Sequence, residues 1–266
     1  MTDQVLLREK LPSGMLRLSI NRPERRNAVN DDVHAEFRSA LNDLHGDDSV
    51  KGLIITATGD KAFCSGQDLA ARKPAAPGEP RRDLGAGLEK NYNALIRRLT
   101  ALPIPVVVAL NGVAAGAGAG LAMGGDLIVA ARSSSMAISF GKVGLMPDAG
   151  VTFHLPRAIG VQRSIAASLL AKRVDAETLE RWGLVWQVVD DDKLQETAED
   201  FALQLAQVPP KALISTRHAM RQSPANSLDE QLALERDLQR DLGFSDDYGE
   251  GVTAFLEKRK PVFSGR

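Results

Sequence analysis

PVVVALNGVAAGAGAGLAMGG, residues 105–125, carries no charge from end to end and is closed by Asp126. Val106 to Leu110 is a short valine-rich run between Pro105 and Asn111, the pattern of a buried strand. Almost everything after it is glycine or alanine. Small residues let a backbone come within hydrogen-bond distance of whatever lies opposite, so the stretch predicts a strand feeding a turn whose N–H groups meet a ligand. Close helix packing through small residues is the alternative reading of Gly116 to Gly120. A membrane span needs about 20 mainly apolar residues, and Pro105, Asn111 and the shortage of Leu, Ile and Phe after Leu110 argue against one. Gly116, Gly118 and Gly120 are spaced GxGxG rather than GxGxxG, and no Gly-Lys-Ser/Thr follows, so neither a dinucleotide loop nor a P-loop fits.

Outward from this stretch, the 266 residues suffice for one sizeable domain or a domain with an appendage. Lys and Arg number 33 against 34 Asp and Glu, and basic residues are not interleaved with aromatic ones, so nothing advertises nucleic acid or an anionic membrane. The single Cys64 excludes an intrachain disulfide and a thiolate metal cluster. Residues 1 to 20 hold neither a signal-peptide core nor a transit-type helix, and a cytoplasmic protein is expected.

Upstream, Val5 to Leu7 and Leu16 to Ile20 read as strands joined by the Pro12-Ser13-Gly14 turn. Asn30, with Asp31 and Asp32, caps a helix running to about His45, and Leu53 to Thr56 is the next strand. Lys61 to Leu69 is a turn entering a helix start, and residues 73–87 read as a mobile loop. A helix from about Leu88 to Leu102 leads back to the central strand. Downstream, Leu127 to Ala130 and Met136 to Ser139 read as strands and Val151 to Ile159 as a helix. From Asp175 the chain reads as mostly helical: Leu194, Ala198, Phe201 and Leu205 have helical spacing, and Ser227 with Glu230 forms a capping box.

No HExxH or GxSxG motif is present, and His34, His45, His154 and His218 are scattered, each reading as a packing or surface residue. Cys64 beside Phe63 reads as a small buried residue. Two turns remain, Ser65-Gly66-Gln67-Asp68 and Ala115-Gly116-Ala117-Gly118. Each follows a strand, and each can aim one N–H at a shared point, which together make an oxyanion hole. Asp148, between Pro147 and a small-residue turn, is either a functional carboxylate or an ordinary turn former.

Asn21-Arg22-Pro23 with Asn27-Ala28, Phe63 to Leu69, Asn111 to Gly118 and Leu155-Pro156-Arg157-Ala158-Ile159-Gly160 together resemble the enoyl-CoA hydratase/isomerase (crotonase) family over nearly the whole chain. Gly144 to Asp148, Trp182 to Asp190, Leu234 to Asp237 and the ending from Asp247-Tyr248 to Pro261 are most similar to its ring-1,2-epoxyphenylacetyl-CoA isomerase branch, which serves phenylacetate catabolism. The resemblance implies an α/β crotonase (ClpP-like) fold of repeated ββα units with a C-terminal helical region. The division falls into a core over 1–193 and an oligomerisation region over 194–266, assembled as a homotrimer or dimer of trimers.

It further implies an acyl-CoA thioester substrate, with no cofactor beyond the coenzyme A that the substrate carries and no metal. The Gln67 and Ala117 N–H groups would hold the thioester enolate, and Ser65, Gln67, Asp68, Leu69 and Ala117 would bind the CoA ester. Lys258 and Lys260 would approach its phosphates. Asp148 would carry the proton, its pKa raised by desolvation beside Leu145, Met146 and Phe153. Ala117 stands where glycine is usual but keeps its N–H, and Val151 replaces a common glycine at the acyl pocket. The expected reaction is isomerisation of ring-1,2-epoxyphenylacetyl-CoA to oxepin-CoA, with a shift of 3-enoyl-CoA to 2-enoyl-CoA. The alternatives are an enoyl-CoA hydratase and a non-catalytic acyl-CoA binder. The two glutamates of hydratases in this family fall at Gly120 and Phe140, neither of which transfers a proton.

Overall fold

The structure, a computed structural model, describes residues 4–44, 46–71 and 78–265. β1 (Leu6–Lys10) and β2 (Met15–Ile20) form the expected hairpin, followed by α1 (Asp31–Asp43) and β3 (Gly52–Ala57). Asn30 caps α1, its side chain accepting the Val33 N–H, while His45 lies outside the described residues. Helices α2 (Leu84–Leu88) and α3 (Ala94–Ala101) lead to β4 (Val106–Leu110), β5 (Val113–Ala115) and α4 (Ala117–Met123). Next come β6 (Leu127–Ala131), β7 (Ser135–Ala137), α5 (Val151–Ile159), α6 (Val161–Leu170), β8 (Arg173–Asp175), α7 (Ala176–Arg181) and β9 (Gln187–Val189). Four helices close the chain: α8 (Leu194–Leu205), α9 (Pro210–Gln222), α10 (Leu228–Gly243) and α11 (Asp246–Glu257).

The main sheet has the order β1-β2-β3-β4-β6-β9, parallel except for the opening hairpin, and β5-β7-β8 form a second sheet. The quoted stretch therefore crosses from one sheet to the other. β4 is apolar throughout because both its faces are covered. Val106, Val108 and Leu110 join the larger core, and Val107 and Ala109 join a second core completed by Leu194, Ala198 and Ala202 of α8. The first helix of the C-terminal region is thus a layer of the sheet.

Several expectations need correction. Residues 84–87 are helical rather than loop, because the Asp83 side chain accepts the Ala86 N–H and starts α2 early. Residues 72–77 of that expected loop lie outside the described ones. Beyond Asp175 the chain is mostly helical as expected, with β9 adding an unforeseen edge to the main sheet beside β6. β5, β8 and β9 span three residues each, too short for an alternating pattern to register.

Asp126, which closes the central stretch, ties the C-terminal helices to the sheet. Its Oδ2 accepts the Val106 N–H at 2.8 Å and Arg217 Nη2 of α9 at 2.5 Å. Arg217 also donates to the Leu102 and Ile104 carbonyls. The motif at the chain's end has a similar purpose. Asp247 accepts the Ser264 and Gly265 N–H groups, and Glu250 accepts Arg259 and the Val262 N–H, folding residues 259–265 back on α11.

Candidate active site

Residues 64–67 run beside β5 and then beside Val29. Cys64 N–H donates to the Val113 carbonyl at 3.1 Å, and Ala115 N–H donates to the Cys64 carbonyl at 2.8 Å. Gly66 then turns with φ +92°, a conformation that favours glycine. Its bare face is what lets the two strands meet, since an added methyl would lie 2.8 Å from Ala115 O and 3.3 Å from Ala117 N. Past the turn, Gly66 O and Asp68 N–H pair with Val29. Backbone groups alternate along an extended chain, so the Gln67 N–H between them faces the opposite side. The Gln67 side chain reaches back instead, its Nε2 donating to Val29 O at 2.9 Å.

Ala117 opens α4, where the first N–H groups have no partner within the helix. Gly116, at φ 53° and ψ −127°, makes the sharp entry, and its own N–H is occupied by Ala137 O. Two further glycines seat α4. A methyl at Gly118 would lie 2.2 Å from Cys64 O, and one at Gly120 would lie 2.4 Å from Ala149 O. The segment carrying Gln67, the start of α4 and the turn carrying Asp148 thus converge on one short helix. The packing reading of the GxGxG stretch holds at Gly118 and Gly120, while Gly116 shapes a helix entry.

Asp148 is half-buried and precedes Ala149 and Gly150, both with positive φ, at the start of α5. Leu145, Met146 and Phe153, the expected apolar shield, are 44%, 70% and 42% exposed. Phe153 instead packs its ring under the Arg157 guanidinium at 3.7 Å. It faces a cavity of about 730 Å³ shared with His154, Arg221 and Trp186. Phe140 is buried, as a core residue.

Among the residues expected to bind the CoA ester, Ser65 is exposed with its N–H on Arg26 O, and Leu69 is 58% exposed. Asp68 is held by Arg22, whose Nη1 lies 3.0 Å from its Oδ2. Burial works to raise the Asp68 carboxyl, but the Arg22 hydrogen bond and charge, the Ala70 N–H and Arg25 outweigh it and leave it below the ordinary value. Arg22 was not singled out from sequence as a site residue, although it lies in the Asn21-Arg22-Pro23 motif. Lys258 ends α11 and Lys260 sits on the folded-back tail.

Cys64 is buried, and burial pushes its thiol up to about 12, so it spaces the strand rather than reacting. His154 is pushed down to about 4 by burial and by Arg221 and Arg157.

A protein-family description, enoyl-CoA hydratase/isomerase, matches residues 10–266. The chain belongs to that family. The chain is 47% identical to the 1,2-epoxyphenylacetyl-CoA isomerase of Escherichia coli over 253 residues, covering 95% of this chain and 96% of that protein. It is 40% identical to a Rhodobacter capsulatus protein named "Probable enoyl-CoA hydratase", over 98% of each. The crystal structure of an enoyl-CoA hydratase from Bacillus anthracis superimposes with a TM-score of 0.90 at 28% identity, covering 99% of this chain and 100% of that one. The α/β crotonase fold is therefore that of this enzyme family, whose members act on acyl-CoA thioesters. Among the described residues, no helix is long and apolar enough to cross a membrane.

Proposed function

We propose that the protein is an acyl-CoA isomerase that holds a thioester enolate between the Gln67 and Ala117 N–H groups and moves a proton with Asp148. The observation that carries this reading is the close approach of Gly66, the residue before Gln67, to Ala115 and Ala117, where an added methyl would lie 2.8 Å from Ala115 O and 3.3 Å from Ala117 N. Removing a proton beside a thioester carbonyl puts negative charge on its oxygen. Each preorganised donor there lowers the barrier by about 3 kcal/mol, and the positive end of α4 adds to the Ala117 N–H. Asp148 takes a proton from the methylene next to the carbonyl. In a ring-1,2-epoxide the C–C bond between the two epoxide carbons opens while both C–O bonds are kept, giving the seven-membered oxepin, and the proton taken from the methylene returns to a ring carbon. In a 3-enoyl-CoA the proton returns at the γ carbon and leaves the 2-enoyl isomer. The 47% identity to an epoxyphenylacetyl-CoA isomerase favours the first substrate.

Hydratase relatives make hydration the second reading. Against it, Gly120 and Phe140 transfer no proton, and a β-carbon at position 120 would collide with Ala149 O. Mass-spectrometric product analysis on ring-1,2-epoxyphenylacetyl-CoA, a 3-enoyl-CoA and crotonyl-CoA decides between them. Isomer products with slow or undetectable hydration are expected, and hydration as fast as isomerisation returns the protein to the hydratases. Asp148→Asn is expected to lower turnover by about 10² while acyl-CoA affinity stays within a few-fold. Undiminished turnover removes Asp148 from the mechanism.

We place the protein in the cytoplasm as a homotrimer or dimer of trimers. Within residues 194–266, α8 closes the core, and α9–α11 supply the assembly surface through exposed residues such as Phe244, Phe255 and Leu228.

A further inference from the structure

Gly120 lies against the turn that carries Asp148. A methyl added there would sit 2.4 Å from Ala149 O, 2.7 Å from Ala149 Cβ and 3.1 Å from its carbonyl carbon. The obstacle is backbone, which cannot swing aside as the end of a long side chain does. Ala149 is buried and has φ 50°, a region that costs a residue with a β-carbon roughly 1–2 kcal/mol. The turn is therefore held by its surroundings rather than by its own preference. On its other side, a methyl at Gly150 would meet His154 Cδ2 at 3.1 Å and Ile96 Cγ2 at 3.3 Å. The Val151 N–H, on Asp148 O at 2.9 Å, joins the turn to α5.

We propose that Gly120 is a positioning residue for Asp148. Its bare Cα sets how deeply Ala149 seats against α4, and so fixes where the neighbouring carboxyl stands. Gly118, two residues earlier, seats Cys64 O on the same helix. One hydrogen-bonded element thus sets the spacing between the Gln67 and Ala117 N–H pair and the proton carrier. This inference rests on the reading that Asp148 moves the proton. It assigns Gly120 a part in the reaction that goes beyond the absence of a carboxylate at that position.

The test is a double-mutant cycle between Gly120→Ala and Asp148→Asn, read as turnover of a 3-enoyl-CoA and as affinity for acetyl-CoA by calorimetry. Gly120→Ala is expected to lower kcat at least about tenfold with acetyl-CoA affinity within about threefold, and the double variant is expected to be no slower than Asp148→Asn alone. Gly120→Ala turnover within twofold of the parent overturns the inference. So does a double variant slower than Asp148→Asn by the full Gly120→Ala factor. If Asp148→Asn is itself as fast as the parent, the proton-carrier reading falls first, a separate result. Should Gly120→Ala fail to fold by circular dichroism, Ala149→Gly takes its place. It leaves α4 intact and frees the turn, so kcat should fall at least threefold with no added loss in the Asp148→Asn background. An unchanged kcat in Ala149→Gly overturns the inference.

Discussion

Helix α4 has seven residues, glycines and alanines with one leucine and one methionine, and all seven are buried, whereas α10 carries five leucines along sixteen residues and buries none of them. Hydrophobicity alone would order the two the other way. The difference lies in what surrounds each. α4 packs against β5 and the Asp148 turn, and at Gly118 and Gly120 only a bare Cα fits, so at those points its packing is backbone on backbone. α9, α10 and α11 lie outside the core. Polar ties such as Arg217 and Arg221 of α9 on Asp126 join them to the sheet, and several of their apolar side chains are left outward. One region is fixed within the chain, and the other has its apolar surface available to a neighbour.

The largest effect is expected inside α4. Gly118→Ala forces a methyl to within 2.2 Å of Cys64 O and should destabilise the chain by about 3 kcal/mol or more, at or above the upper end of ordinary overpacking, seen as a lower urea midpoint. A midpoint equal to the parent's would break the comparison, because α4 would then have room that its contacts deny.

An intermediate effect belongs to the joint between the regions. His154 on α5 packs against Gly150 and feels Arg221 of α9. Burial, then Arg221 and Arg157, push its pKa from 6.5 down to about 4. Between those values the unfolded chain takes up a proton that the folded one refuses. Stability is thus full above pH 6.5 and falls as the pH drops toward about 4, by up to about 3 kcal/mol. His154→Phe should flatten that acid limb in denaturant titrations run across the pH range. An equally steep limb in the variant would place the acid sensitivity elsewhere.

The smallest effect on the chain's own stability is expected at Phe255, which is 81% exposed on α11. Phe255→Ser should change the unfolding free energy of the single chain by less than about 0.5 kcal/mol, yet shift sedimentation at micromolar concentration toward smaller species. Sedimentation that does not move would show that this face is not used in assembly.

The legibility of the fold follows the same division. β4, the opening hairpin, the Asn30 cap and the Ser227–Glu230 capping box were readable because each rests on residues close in sequence. The family was readable because its motifs are spread over nearly the whole chain, and Gln67, Ala117 and Asp148 could be named from them. What could not be read was how the segments that carry them pack together. The sequence by itself determined the strong local elements and the family, since alternation, helical spacing and caps are short-range effects. Only the tertiary structure decided the three-residue strands, the early start of α2, the Arg22–Asp68 pair and the exposure of Leu145, Met146 and Phe153. It also decided which glycines of the GxGxG run are seats and which shapes the helix entry. The reason is physical: a glycine's lack of a side chain has meaning only against the atom opposite, and for Gly118 and Gly120 those atoms belong to Cys64 and Ala149, tens of residues away along the chain.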